Sequence, residues 1–129
     1  MHPLIAAVLG KDWDALKTLA ASGEGLDDTD EEGFSALTHA AHRGNLEAAR
    51  ILLDAGADPD VQDAKNTFPT PLSAAAFHGH FSIVKLLVAH GADVTRCAGL
   101  WQVPAEVYAR RQGHHAVSEY LQYCQPREA

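Results

Sequence analysis

One short pattern, a leucine followed within a few residues by a pair of alanines, occurs three times along this chain at nearly constant spacing. Pro3-Leu4-Ile5-Ala6-Ala7 returns as Ala36-Leu37-Thr38-His39-Ala40-Ala41 and again as Thr70-Pro71-Leu72-Ser73-Ala74-Ala75-Ala76, which puts 33 and 35 residues between the leucines. A second pattern keeps the same step: Ala15-Leu16-Lys17-Thr18-Leu19, Ala48-Ala49-Arg50-Ile51-Leu52-Leu53 and Ile83-Val84-Lys85-Leu86-Leu87. Each is closed by Ser22-Gly23, Ala55-Gly56 or His90-Gly91. A unit this short cannot bury its own apolar face, so it must stack on its neighbours, and the outermost units must present polar surfaces.

Within a unit, the residues prescribe two short helices. Ser35 and Thr70 are suited to accept a hydrogen bond from an otherwise unpaired backbone N–H at a helix start. Pro3, Pro71 and Pro104 suit a first helical position, where no N–H is required. The alanine pairs at 40–41 and 74–75 let neighbouring helices approach closely, while Leu52, Leu53, Leu86 and Leu87 fill the space between successive second helices. Gly44 and Gly79 fall between the helices, and Gly23, Gly56 and Gly91 follow the second, where a left-handed backbone commonly ends a helix.

These residues resemble the ankyrin repeat family over nearly the whole chain. Thr70-Pro71-Leu72, Ala74-Ala75, Gly79-His80, Ile83-Val84, Leu86-Leu87 and Gly91-Ala92-Asp93 follow its pattern in register, and Asp30, Gly33, Leu37, Ala40-Ala41, Gly44, Leu52-Leu53 and Gly56-Ala57-Asp58 repeat it. The resemblance implies an all-α solenoid of stacked helix-turn-helix units joined by β-turn or hairpin fingers. It implies a single domain, 1–129, with units near 1–29, 30–62, 63–97 and 98–129, the first and last acting as caps. The last unit drifts, because Pro104 to Gly113 is one residue longer than Pro71 to Gly79.

Composition narrows the chemistry. With 129 residues and 47% hydrophobic residues the chain can form one continuous core. Its formal charge of −7 repels a phosphate backbone, so nucleic acid is not an expected partner. Two cysteines, Cys97 and Cys124, give neither a disulfide framework nor a metal-binding spacing and read as reduced thiols of a cytoplasmic protein. The apolar run from Pro3 to Gly10 has no preceding Lys or Arg and is accounted for by the repeat, and no segment approaches membrane-spanning length.

The resemblance further implies a non-catalytic module that holds another protein by the finger tips and the exposed side of the first helices, together a concave strip. Carried onto this chain, the strip comprises Glu31, Glu32 and Phe34 in the first finger, Lys65 and Phe68 in the second and Trp101 in the third. From the first helices come His42 and Arg43, Phe77 and His78, and Arg111 and Gln112, with Leu9 and Gly10 as the equivalents in the first unit. Phe77 stands where solvent is expected, as an interface anchor or as packing against a finger. Phe68-Pro69 lengthens its finger, for contact or for tucking over the first helices. Trp101 has two open roles, anchor and cover for the end of the core.

The first finger carries Glu24, Asp27, Asp28, Asp30, Glu31 and Glu32. Asp30 matches the family's finger aspartate, which bonds locally; the other five solubilise the loop or attract a basic partner surface. His42 and His78 titrate near neutral pH and would make binding pH-dependent. His39-x-x-His42 and His78-x-His80 invite a metal reading, but His80 and His114 match the family's Gly-His position, and no cysteine lies near them. No nucleophile elbow, phosphate loop or Cys–His pairing points to catalysis, and no cofactor is expected. A monomer is expected; the competing reading is a structural subunit or a self-associating cap of a larger assembly.

Overall fold

The computed structural model describes residues 3–23, 25–31, 33–62, 69–99 and 101–124. Eight α-helices are found among them: α1 Pro3–Leu9, α2 Trp13–Ala21, α3 Ala36–Arg43, α4 Leu46–Asp54, α5 Pro71–Phe77, α6 Phe81–Ala89, α7 Ala105–Arg111 and α8 His115–Tyr123. They pair as α1/α2, α3/α4, α5/α6 and α7/α8, and the pairs stack in chain order. The odd-numbered helices form one row and the even-numbered helices another. Two isolated antiparallel bridges, Thr29 with Ser35 and Ala98 with Val103, narrow the first and third fingers.

The capping residues read from the sequence act as such. Ser35 Oγ accepts from Thr38 N at 3.1 Å and Thr70 Oγ1 from Ser73 N at 3.1 Å. Pro3 and Pro71 open their helices, but α7 starts at Ala105 with Pro104 as its N-cap. Pro104 thus occupies the place of Thr70 rather than that of Pro71, which accounts for the extra residue before Gly113. The core follows the small–large pattern: Ala40, Ala41, Ala75 and Ala76 are fully buried in the first row, and Leu52 and Leu87 in the second. Leu86 is only half-buried, at the edge of that core.

Neighbouring units are also joined by polar contacts one repeat apart. Asp27 Oδ1 accepts from Asp58 N at 2.9 Å, and Asp60 Oδ1 accepts from Asp93 N at 2.8 Å. The Asp27 carboxylate therefore has a structural task and is not free for partner attraction alone. His80 Nε2 lies 3.3 Å from the His42 carbonyl and His114 Nε2 lies 3.1 Å from the Phe77 carbonyl, which assigns the ring proton to Nε2 in each. Each imidazole sits against the glycine of the preceding turn: a Cβ on Gly44 would come within 2.8 Å of His80, and one on Gly79 within 2.6 Å of His114.

Candidate functional site

The fingers are fixed to the first helices by the helices' own side chains. Asp30 Oδ1 accepts from Phe34 N at 3.0 Å while Oδ2 lies 2.7 Å from His39 Nε2, so buried His39 ties the first finger to α3. In the last unit the same helical slot holds Tyr108, whose hydroxyl donates to the Ala98 carbonyl and accepts from Trp101 N at 3.0 Å. Between them, α5 has Ala74 in this slot. Two large anchors with a methyl group between them leave a groove of about 270 Å³, walled by Phe34, His42, Pro69, Phe77, His78 and Tyr108.

Aromatic side chains run along this groove without a break. Phe34 meets His42 at 5.9 Å between centroids, and His42 meets His78 edge-on at 4.4 Å. His78 meets Phe77 at 5.0 Å, and Phe77 meets Tyr108 at 6.1 Å. Trp101 stacks on Tyr108 at 5.1 Å and 15°, and the Arg111 guanidinium lies 4.9 Å above Trp101. Burial, and then the charges of Arg43, His39 and His80, push the His42 pKa below its ordinary value. Burial, and then His42, His80 and His114, do the same for His78, so both imidazoles are mostly neutral at pH 7.

Of the residues expected on the strip, His42, Arg43, His78, Trp101, Arg111 and Gln112 are exposed, as is Glu31 in the first finger. Phe34 is half-buried. Phe77 differs from its expected exposure: the third finger folds over it, and its ring is half-buried against His78, Trp101 and Tyr108. Trp101 is 38% exposed and lies on Tyr108. Glu32, Lys65 and Phe68 lie outside the described residues. Tyr108 was not singled out from the sequence; aligning the last unit on Gly113 instead of on Pro104 would have placed it in the slot of His39. Among the described residues no cluster of His, Cys, Asp or Glu is arranged to hold a metal ion, and no helix is long and apolar enough to cross a membrane.

A general profile of ankyrin repeats matches residues 3–98 as three copies. The chain belongs to the ankyrin repeat family. The α7/α8 pair lies beyond the matched region, in keeping with its shifted proline. A putative ankyrin repeat protein of Rickettsia bellii is 33% identical over 116 residues, covering 86% of this chain and 68% of that protein. The ankyrin repeat and KH domain-containing protein mask of Drosophila melanogaster is 39% identical over 100 residues, 74% of this chain but 2% of its own length. A putative ankyrin repeat-containing protein of Treponema pallidum is 34% identical over 93 residues, 70% of this chain and 30% of its own. Ankyrin repeats are in general non-enzymatic protein–protein interaction modules.

Proposed function

We propose that this ankyrin repeat chain is a monomeric cytoplasmic module that holds a segment of a partner protein in the aromatic groove. The observation that carries this reading is the unbroken run from Phe34 to Trp101 beside an open, mostly apolar groove. Aromatics and arginines concentrate binding energy at interfaces because they bury large area with few rotatable bonds. His42, Arg43, Phe77, His78, Trp101, Arg111 and Gln112 supply the contacts from the first helices and third finger. Glu31, Glu32 and Phe34 supply them from the first finger, and Lys65 and Phe68 from the second. The acidic first finger favours a partner with a basic surface at that end. Two free thiols, Cys97 and Cys124, support the cytoplasmic placement.

Affinity capture from the native cells followed by mass spectrometry identifies the partner, and titration of variants maps the site. Phe77→Ala, Phe68→Ala and Arg43→Glu are each expected to weaken binding by more than about 1 kcal/mol, roughly fivefold, with the helical signal retained and, for exposed Arg43→Glu, the melting temperature moved by a few degrees at most. Unchanged affinity in all three would place the site on another face. A second reading, self-association, is favoured by Tyr123, which is 74% exposed on α8. Light scattering decides it: a single monomeric mass over a wide concentration range rules strong self-assembly out.

A further inference from the structure

The four turns between first and second helices differ at one junction. Their left-handed position is held by Lys11, Gly44, Gly79 and Gly113, with φ of +55°, +76°, +73° and +80°. The residue that follows, the N-cap of the second helix, is Asp12, Asn45, His80 or His114. At the second and third junctions the imidazole of the later unit covers the glycine of the earlier one and bonds to the carbonyl two residues before that glycine, His42 or Phe77. At the first junction Asn45 stands in the place of the imidazole and lines one cleft with Lys11, which holds the position where the other turns have glycine. What remains is a cleft of about 410 Å³ lined by Leu9, Lys11, His42, Arg43 and Asn45.

Two of these five residues are cations, and among the described residues neither Lys11 nor Arg43 has a carboxylate within ion-pairing distance. Asp12, adjacent in sequence, is turned to cap α2 through Ala15 N at 3.1 Å. A cation at the end of α3 is favourable in any helix, which accounts for the sign of the charge on Arg43. It accounts neither for the open cleft nor for a lysine in a backbone conformation that glycine adopts at no steric cost.

The geometry points to an oxyanion site: the cleft accepts a carboxylate or phosphate group carried on a polypeptide side chain. The Lys11 ammonium and the Arg43 guanidinium are the charged donors, and the Asn45 amide is a neutral third. His42, neutral at pH 7, lines the wall and leaves the charge to the other two. The chain's net charge of −7 makes the attraction local, so binding is strongest at low salt. The cleft adjoins the aromatic groove through His42 but does not depend on it, because a small probe needs only the cleft.

The test follows amide resonances of the full chain in low salt while N-acetyl-O-phosphoserine amide or N-acetyl-aspartate amide is added. Saturable shifts at Lys11, Arg43 and Asn45 are expected with at least one probe, and the pair separates a phosphate site from a carboxylate site. The deciding variant is Lys11→Gly combined with Asn45→His, which rebuilds the packing of the other two junctions. It is expected to melt at or above the wild-type temperature and to bind the probe at least roughly tenfold more weakly. Lys11→Glu combined with Arg43→Glu should also lose the shifts while keeping its helical signal. The proposal is overturned if neither probe saturates, or if the rebuilt junction binds as the wild type does. Phe77→Ala, which weakens partner binding in the groove and does not line the cleft, leaves the probe response intact, so the two readings fail separately.

Discussion

Gly79 and Gly56 both take left-handed backbone, with φ of +73° and +103°, yet a methyl group would meet different surroundings. At Gly56 nothing lies within 4 Å, so Gly56→Ala meets only the conformational penalty, about 1–2 kcal/mol. At Gly79 the new carbon would lie 2.6 Å from the His114 ring, so Gly79→Ala carries the same penalty and in addition displaces the imidazole from the Phe77 carbonyl, about 1 kcal/mol more. Urea unfolding of the two variants checks the order, and equal costs would show that the His114 contact contributes nothing. The sequence made the left-handed glycines legible because glycine is the residue that enters αL freely. It hid Lys11, because a lysine in that position looks like any surface lysine. The histidines make a second prediction. Burial and neighbouring charge lower the folded pKa of His42 and of His78 below the ordinary 6.5. The unfolded chain therefore binds protons first as pH falls, and stability that is complete above 6.5 is lost through the lowered folded values. Melting temperature measured across that window should fall more steeply for the wild type than for His42→Gln combined with His78→Gln; parallel profiles would dismiss the coupling.

Helix by helix, one slot decides what the inner face of each unit can do. His39, Ala74 and Tyr108 occupy it in α3, α5 and α7; the two large residues tie fingers down and the small one opens the groove. The pattern of helices, caps and turns was readable because local chemistry dictates it. The groove was not, because it arises from a side chain that is absent between two that are present. The last unit shows the same limit. Glu106 replaces the leucine found at Leu4, Leu37 and Leu72, and its buried carboxylate accepts from Arg110 Nε at 3.1 Å, Ser118 Oγ at 2.9 Å and Gln122 Nε2 at 2.9 Å. Burial alone would raise its pKa, but the bonds from Gln122, Ser118 and Arg110 outweigh burial and hold the pKa below the usual carboxylate value. This contribution is present above the unfolded value of 4.5 and is lost as pH falls through the lowered folded one. Glu106→Gln, which keeps the shape but loses the charge, should cost about 1.5–3 kcal/mol. It should also flatten stability against pH in the acid range, and hydrogen exchange in α8 should accelerate more than in α4. An unchanged α8 would mean that the trio is a surface arrangement without weight.

Across the described residues, stability passes from unit to unit through the interfaces, since each pair of helices packs chiefly on its neighbours. The three junctions are unequally joined. Imidazoles bridge the second and third, through His80 to the His42 carbonyl and His114 to the Phe77 carbonyl, and the first has Asn45 in their place. The aspartate staple at Asp27 remains at that first junction, and the apolar packing of α1 on α3 continues, so the first unit is folded but held by fewer directed bonds. Native-state hydrogen exchange should therefore find α1 and α2 opening at lower free energy than α5 and α6, by about 1 kcal/mol for one missing bridge. Lys11→Gly combined with Asn45→His adds the missing imidazole and removes a left-handed lysine, so protection in α1 and α2 should rise toward that of the interior while the interior units change little. Equal protection of the first and interior pairs in the wild type would contradict this account, because it would make the junctions equivalent despite their different side chains. A rise confined to α1 and α2 would instead show that the open junction costs stability, as expected of a cleft kept for binding rather than for folding.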